Sequence, residues 1–193
     1  EKKIKLKNKS SLSGAKLRSQ LHNKQRMRSI YNLDSSKIKK VVSTLSKNNT
    51  WQIPTLKLFK NLAYKIYKNQ EYLTSLDILP QTSKMIWKKR INKISLDENK
   101  QMKDFTDWSK SMVKYMHENN IKFMAGTDTP IGFLIPGLSL HQEIQELNEA
   151  GLSTLEALQT ATINPSIYFN LQDSLGRIKN NYIADLIILD KNP

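Results

Sequence analysis

The sequence predicts an α/β fold rich in helix, with strands whose carboxyl ends carry the chemistry, and three observations predict it. Ile121–Ala125 (IKFMA) is a short apolar run that stops at Gly126 and then presents Thr127 and Asp128. That pattern resembles the carboxyl end of a barrel strand, where catalytic residues sit on loops held by a rigid scaffold. Thr50–Phe59 (TWQIPTLKLF) is rich in β-formers and reads as a second strand, with Pro54 making its middle an edge, a bulge or an end. Most of the remaining chain shows apolar residues at helical spacing. Asp128 is the first ionisable group beyond the apolar run and is the candidate catalytic residue. A Gly-Thr-Asp after a strand is also a common turn or helix cap, so both roles stand at this point.

Taken in order, residues 1–13 are polar and basic and are expected to be poorly ordered. A helix is expected from Gly14 to Tyr31, with His22 as an exposed histidine. Asp34, Ser35 and Ser36 offer an N-terminus for the next helix, on which Ile38, Val41, Val42 and Leu45 share a face. Asn48-Asn49 ends it, because Asn tolerates the left-handed cap position. After the strand over Thr50–Phe59, residues 60–100 are helical in tendency, with Leu62, Ile66 and Tyr67 on one helix and a break at Leu79-Pro80. Trp87 lies in the basic stretch KMIWKKR, either as a base-stacking platform or as a helix anchor among snorkelling lysines. Residues 101–118 form a stronger helix with Met102, Phe105, Ser109, Met112 and Met116 on one face. His117 sits in its last turn, where a cation suits the helix dipole.

Beyond the Asp128 loop, with Gly132, Pro136 and Gly137, a helix is expected from Ser139. Ser139…Gln142 and Ser153…Glu156 both read as capping boxes. Leu140, Ile144 and Leu147 line the first of these helices; Leu155, Leu158 and Ala161 line the second. Asn164-Pro165 signals a third start. Gly176-Arg177-Ile178 and Ile183–Leu189 read as two strands joined by a turn at Asn180-Asn181.

Composition sets the outer bounds. The 193 residues are enough for one or two domains and a substantial core. There is no cysteine, which excludes disulfides and Cys-ligated metal. No apolar run is long enough to span a membrane, and no signal peptide is visible. The chain opens on Glu rather than Met, which implies that its native start lies upstream. The net charge of +14 is uneven: residues 1–120 carry 27 Lys/Arg against 9 Asp/Glu, and residues 121–193 carry 4 against 8. Such asymmetry fits either a Lys-rich solvated face or an anionic partner, but no nucleic-acid motif accompanies it.

The C-terminal half resembles the amidohydrolase superfamily of metal-dependent hydrolases, and within it the imidazolonepropionase-like and Xaa-Pro dipeptidase-like branch. The likeness rests on Ala125-Gly126-Thr127-Asp128-Thr129, on Pro136-Gly137-Leu138-Ser139-Leu140-His141-Gln142-Glu143, and on Ala161-Thr162-Ile163-Asn164-Pro165. Asp173-Ser174-Leu175-Gly176 and Ala184-Asp185-Leu186-Ile187-Ile188-Leu189-Asp190 continue it, and Asn48–Leu56 is similar to the family's penultimate barrel strand. The resemblance implies the C-terminal portion of a (β/α)8 barrel plus two strands of a flanking β-sandwich. It divides the chain into a basic segment over 1–33, barrel over 34–172 and sandwich strands over 173–193. It also implies one or two divalent metals, commonly zinc, with Asp128 as metal ligand and general base, and a small-molecule substrate cleaved at a C–N bond of a cyclic amide or an Xaa-Pro dipeptide. His141, Thr129, Trp51 and Phe133 become candidates for the substrate pocket, each with packing as its plainer role.

The departures shape the rest of the expectation. There is no His-x-His, and the three histidines, His22, His117 and His141, do not follow a plausible strand. Only two barrel strands are found, whereas the barrel needs eight. The chain is therefore expected to be a C-terminal fragment beginning after the sixth strand. It would depend on an N-terminal barrel half for its remaining ligands and be inactive alone. Asn181 stands where the family commonly has Gly in a turn, a mild change because Asn also accepts a positive φ. The rival readings are a non-catalytic scaffold of the same fold and a basic nucleic-acid-binding module.

Overall fold

The computed structural model describes residues 25–97 and 99–191; the expectations for residues 1–13, for His22 and for most of the first helix fall outside them. Residues 25–31 are helical, as expected for the end of that helix. The elements that follow are α1 (Ser35–Lys47), α2 (Leu56–Tyr64), α3 (Gln70–Ser75), α4 (Gln81–Asn92), α5 (Lys100–Glu118), α6 (Leu138–Glu149), α7 (Thr154–Gln159) and α8 (Ile163–Tyr168). Short 3-10 turns at Ile66–Lys68, Leu76–Ile78 and Ile131–Phe133 link them.

Local chemistry accounts for many of the boundaries. The Asp34 carboxylate accepts the amides of Ser36 and Lys37 at 3.0 and 3.2 Å and starts α1. The Asn99 side chain accepts the Met102 amide at 3.0 Å and starts α5. Ser153 and Glu156 form a complete capping box, with the Ser153 amide donating to Glu156 Oε2 at 2.8 Å and the Glu156 amide donating to Ser153 Oγ at 3.3 Å. Asn49, Asn120 and Asn181 all adopt positive φ at chain reversals.

The strands are where expectation and structure part. Among the described residues the sheet is reduced to one parallel bridge between Gln52 and Phe123. Its bonds run from the Gln52 amide to the Lys122 carbonyl (2.9 Å) and from the Met124 amide to the Gln52 carbonyl (3.0 Å). The two segments run in parallel, with helices in the chain between them, as a parallel connection requires. On its other edge, Phe123 and Ala125 are satisfied without a strand: Asn164 Nδ2 donates to the Phe123 carbonyl (2.8 Å) and the Ala125 amide donates to the Thr160 carbonyl (3.0 Å).

The strand expected over Thr50–Phe59 is not formed: only Gln52 pairs, and Leu56 already opens α2. The cause is tertiary, because the first amides of α2 find an acceptor far away in sequence. The expected strands at Gly176–Ile178 and Ile183–Leu189 are not formed. A strand needs a ladder, and no described segment pairs with them, so Ile178 and Ile188 stand 91% and 97% exposed. The Ser139…Gln142 box is also absent. Ser139 lies inside α6, its amide already bonded to the Ile135 carbonyl, and Asn164 bonds Phe123 in the segment Ile121–Ala125, which carries one bridge rather than the expected strand, instead of capping α8.

Two apolar clusters hold these elements. Val42, Leu56, Val113, Ile121, Phe123, Leu147, Leu152 and Ala157 form the one behind the paired segments, where α2 packs on α5 and α6. Tyr67, Tyr72, Leu76, Ile91 and Ile135 form the other, under the Asp128 loop, with Trp87 and Phe133 packed against it.

Candidate functional site

The two paired segments bring their carboxyl ends, Ile53–Thr55 and Gly126–Asp128, to a common rim. They approach so closely that a Cβ on Gly126 would lie 2.5 Å from Ile53 Cγ2. Glycine is therefore required here by contact rather than by a turn.

Asp128 leaves the rim in the left-handed conformation, φ +54°, with its side chain exposed and without a hydrogen bond or ion pair among the described residues. Its carbonyl accepts the Ile131 amide at 2.9 Å, so the backbone turns immediately after it. The preceding Thr127 is buried, and its hydroxyl oxygen accepts from the Thr129 amide (3.3 Å) and from Ser139 Oγ (3.4 Å). The loop is then pinned from α2 and α3: Asn61 Nδ2 donates to the Gly132 carbonyl (2.6 Å) and the Tyr72 hydroxyl to the Phe133 carbonyl. The result is a free carboxylate presented by a fixed loop.

The other candidates are not gathered around it. Thr129 donates its hydroxyl to the Leu134 carbonyl at 2.6 Å. Trp51 packs edge-on against Tyr168 at 5.8 Å between centroids, with the Lys122 ammonium 5.3 Å from its ring. Phe133 packs between Tyr67 and Trp87, at 5.2 and 5.7 Å. That contact also fixes Trp87 as a helix anchor rather than a free stacking surface. His141 is exposed and lines a cleft of about 850 Å³ between α6, α7, α8 and residues 171–189. None of Asp128, Thr129 and Trp51 lines that cleft. His117 lies 3.6 Å from a Glu156 carboxylate oxygen, joining α5 to α7.

Sequence reasoning missed Glu143. It assigns Leu140, Ile144 and Leu147 to the inner face of α6, yet the buried stripe is Ser139, Glu143, Glu146 and Leu147. Glu143 is fully buried, and its two carboxylate oxygens accept the amides of Leu56 (2.9 Å) and Lys57 (2.6 Å) at the start of α2. Burial pushes its carboxyl up to about 7, against the pull of those two amides. Lys57 is pushed down by burial. Burial is the largest single influence on Lys60 and opposes its charge, but the bond to Glu146 Oε1 at 2.6 Å and the charges of Glu146 and Glu149 together outweigh it and raise the pKa. The only sequence signal was the i, i+4, i+8 spacing of Ser139, Glu143 and Leu147.

For chemistry, the donor set is decisive. No group of three or more His, Asp or Glu side chains that could hold a metal exists among the described residues. Zinc sites take three or four protein ligands, so these residues by themselves do not fit a metal. The family model for the amidohydrolase family matches residues 74–193. The chain belongs to the amidohydrolase family. Comparison with curated proteins and with solved structures returns no match. Amidohydrolases are typically metal-dependent, and membership points to hydrolysis of C–N bonds in a small-molecule substrate. No helix among the described residues is long and apolar enough to cross a membrane. In this amidohydrolase chain, Asp128 and the loop that presents it lie within the matched residues, whereas Trp51 lies before them.

Proposed function

We propose that this chain supplies the last-strand carboxylate, Asp128, of a metal-dependent hydrolase that cleaves C–N bonds in cyclic amides or Xaa-Pro dipeptides. The observation that carries the reading is the position of Asp128. It is the first ionisable group past a buried segment paired in parallel, inside the residues that match the family. A carboxylate without internal partners is free to accept a proton from an attacking nucleophile and return it to a leaving amine. The remaining ligands and strands come from an N-terminal barrel half outside residues 25–191. The single parallel bridge and the lack of a metal-ligating cluster, both among the described residues, support that division.

The 193-residue chain alone is expected to bind no stoichiometric zinc and to hydrolyse neither substrate class. Elemental analysis after dialysis against zinc checks this, and a tight one-to-one site would contradict it. In the assembled enzyme, Asp128→Asn is expected to lower kcat by about 10²–10⁴-fold, the usual worth of a positioned proton-transfer group. Retained turnover would remove Asp128 from the chemistry. The scaffold reading has one observation in its favour, the absence of a metal-ligating cluster among the described residues. The same assay on the assembled protein decides it.

A further inference from the structure

The start of α2 poses a problem that its own sequence does not solve. Thr55, the residue before the helix, adopts the left-handed conformation (φ +49°, ψ +45°) and makes no side-chain cap. A β-branched residue rarely sits there, and the strain is on the same scale as one good hydrogen bond. The amides of Leu56 and Lys57 are buried and need acceptors. Glu143 provides both from a helix 86 or more residues away in sequence.

We propose that Glu143 is a positioning residue: its carboxylate holds the first turn of α2 while Ser139, one turn earlier on α6, holds Thr127, so that α6 locks both strand-end loops into one rim. What the lock positions is Asp128, and in that respect alone the inference rests on the function proposed above. Two more contacts point the same way. The Gln52–Phe123 bridge pairs the segments below the rim, and within it a Cβ on Gly126 would lie 2.5 Å from Ile53 Cγ2. Glu143 and Ser139 share one buried face of α6, at 0% and 1% exposure, so neither reaches solvent for an alternative partner. The charged groups facing Glu143 are Lys57 on α2 and Glu146 on its own helix. Behind them Lys60 bonds Glu146 and, more loosely, Glu149, and Lys110 on α5 donates to Glu149 at 2.7 Å.

The test is NMR on the full 193-residue chain, reading the amides of Leu56, Lys57, Thr127 and Asp128. Gln has the shape of Glu but only one acceptor oxygen, so a pure packing role survives Glu143→Gln and a two-acceptor lock does not. In Glu143→Gln, hydrogen exchange at Leu56 and Lys57 is expected to accelerate about tenfold or more, as for loss of a charge-assisted bond. The Thr127 and Asp128 resonances should shift, with Val113 in α5 unchanged. Unaltered exchange at Leu56 and Lys57, or unmoved Thr127 and Asp128 signals, overturns the proposal.

Should the variant not fold, the unsubstituted chain serves. The Glu143 carboxyl carbon signal should titrate with a midpoint near neutrality, and all four amides should follow with the same midpoint. Amides that ignore that titration overturn the lock. The readout needs no catalysis, so a locked rim in a protein without hydrolase activity sinks the functional reading alone. An uncoupled rim in an active enzyme sinks the lock alone.

Discussion

At the scale of single residues, Glu143 and Asp128 show two carboxylates of one family domain driven to opposite environments. Asp128 is exposed and unpartnered; Glu143 is sealed between α2 and α6. Burial raises Glu143 from 4.5 to about 7, which fixes the sign of its effect on stability. A carboxyl that is more basic when folded than unfolded adds stability below its unfolded pKa and loses it as pH rises through the folded one. Folding should therefore weaken between about pH 4.5 and pH 7 through this group, by up to the order of 3 kcal/mol. Urea unfolding of the chain and of Glu143→Gln across that range should show the slope in the first and a flatter line in the second. Equal slopes would mean that Glu143 is not the titrating group.

At the scale of elements, α2 shows how far tertiary contacts redraw a local reading. Thr50–Phe59 carries β-formers, and its residues Thr55, Leu56, Lys57 and Leu58 are all buried, without a strand's alternation. From Leu56 onward they lie on a helix, because Pro54 has no amide to extend the pairing beyond Gln52 and the Glu143 carboxylate satisfies the amides that follow. The two strand ends also depend on a glycine. Gly126→Ala places a Cβ 2.5 Å from Ile53 Cγ2, and Ile53 would have to move at the point where the segments pair. Overpacking of this kind costs about 1–3 kcal/mol. Urea denaturation of Gly126→Ala should show that loss, and Ile53→Ala in the same chain should recover most of it. A neutral Gly126→Ala would mean that the segments are not held at this distance.

At the scale of the whole molecule, charge is the dominant feature. A net charge of +14, concentrated in residues 1–120, sets lysines against one another on the surface. Among the described residues, three ion pairs gather on α2, α5 and α6 around Glu146 and Glu149, while Lys37–Asp34 and Lys84–Asp77 stand apart from them. Salt screens such repulsion, with a Debye length falling from about 30 Å at 0.01 M to about 8 Å at 0.15 M. The urea midpoint should rise over that range. A falling midpoint would show that the buried-side ion pairs outweigh the surface repulsion. The apolar segment Ile183–Leu189 belongs to this scale too, with Ile187 and Ile188 77% and 97% exposed.

The amino-acid sequence by itself determined the family and the helices with local caps. Asp34 and the Ser153–Glu156 pair act within four residues of themselves. Such signals are visible in a linear pattern because the interacting groups are neighbours along it. Only the tertiary structure decided that Leu56 begins a helix, that Ser139 bonds Thr127 instead of capping α6, and that Glu143 is buried. Each of those outcomes turns on a polar group finding its partner from 12 to 87 residues away, at a distance no local periodicity records.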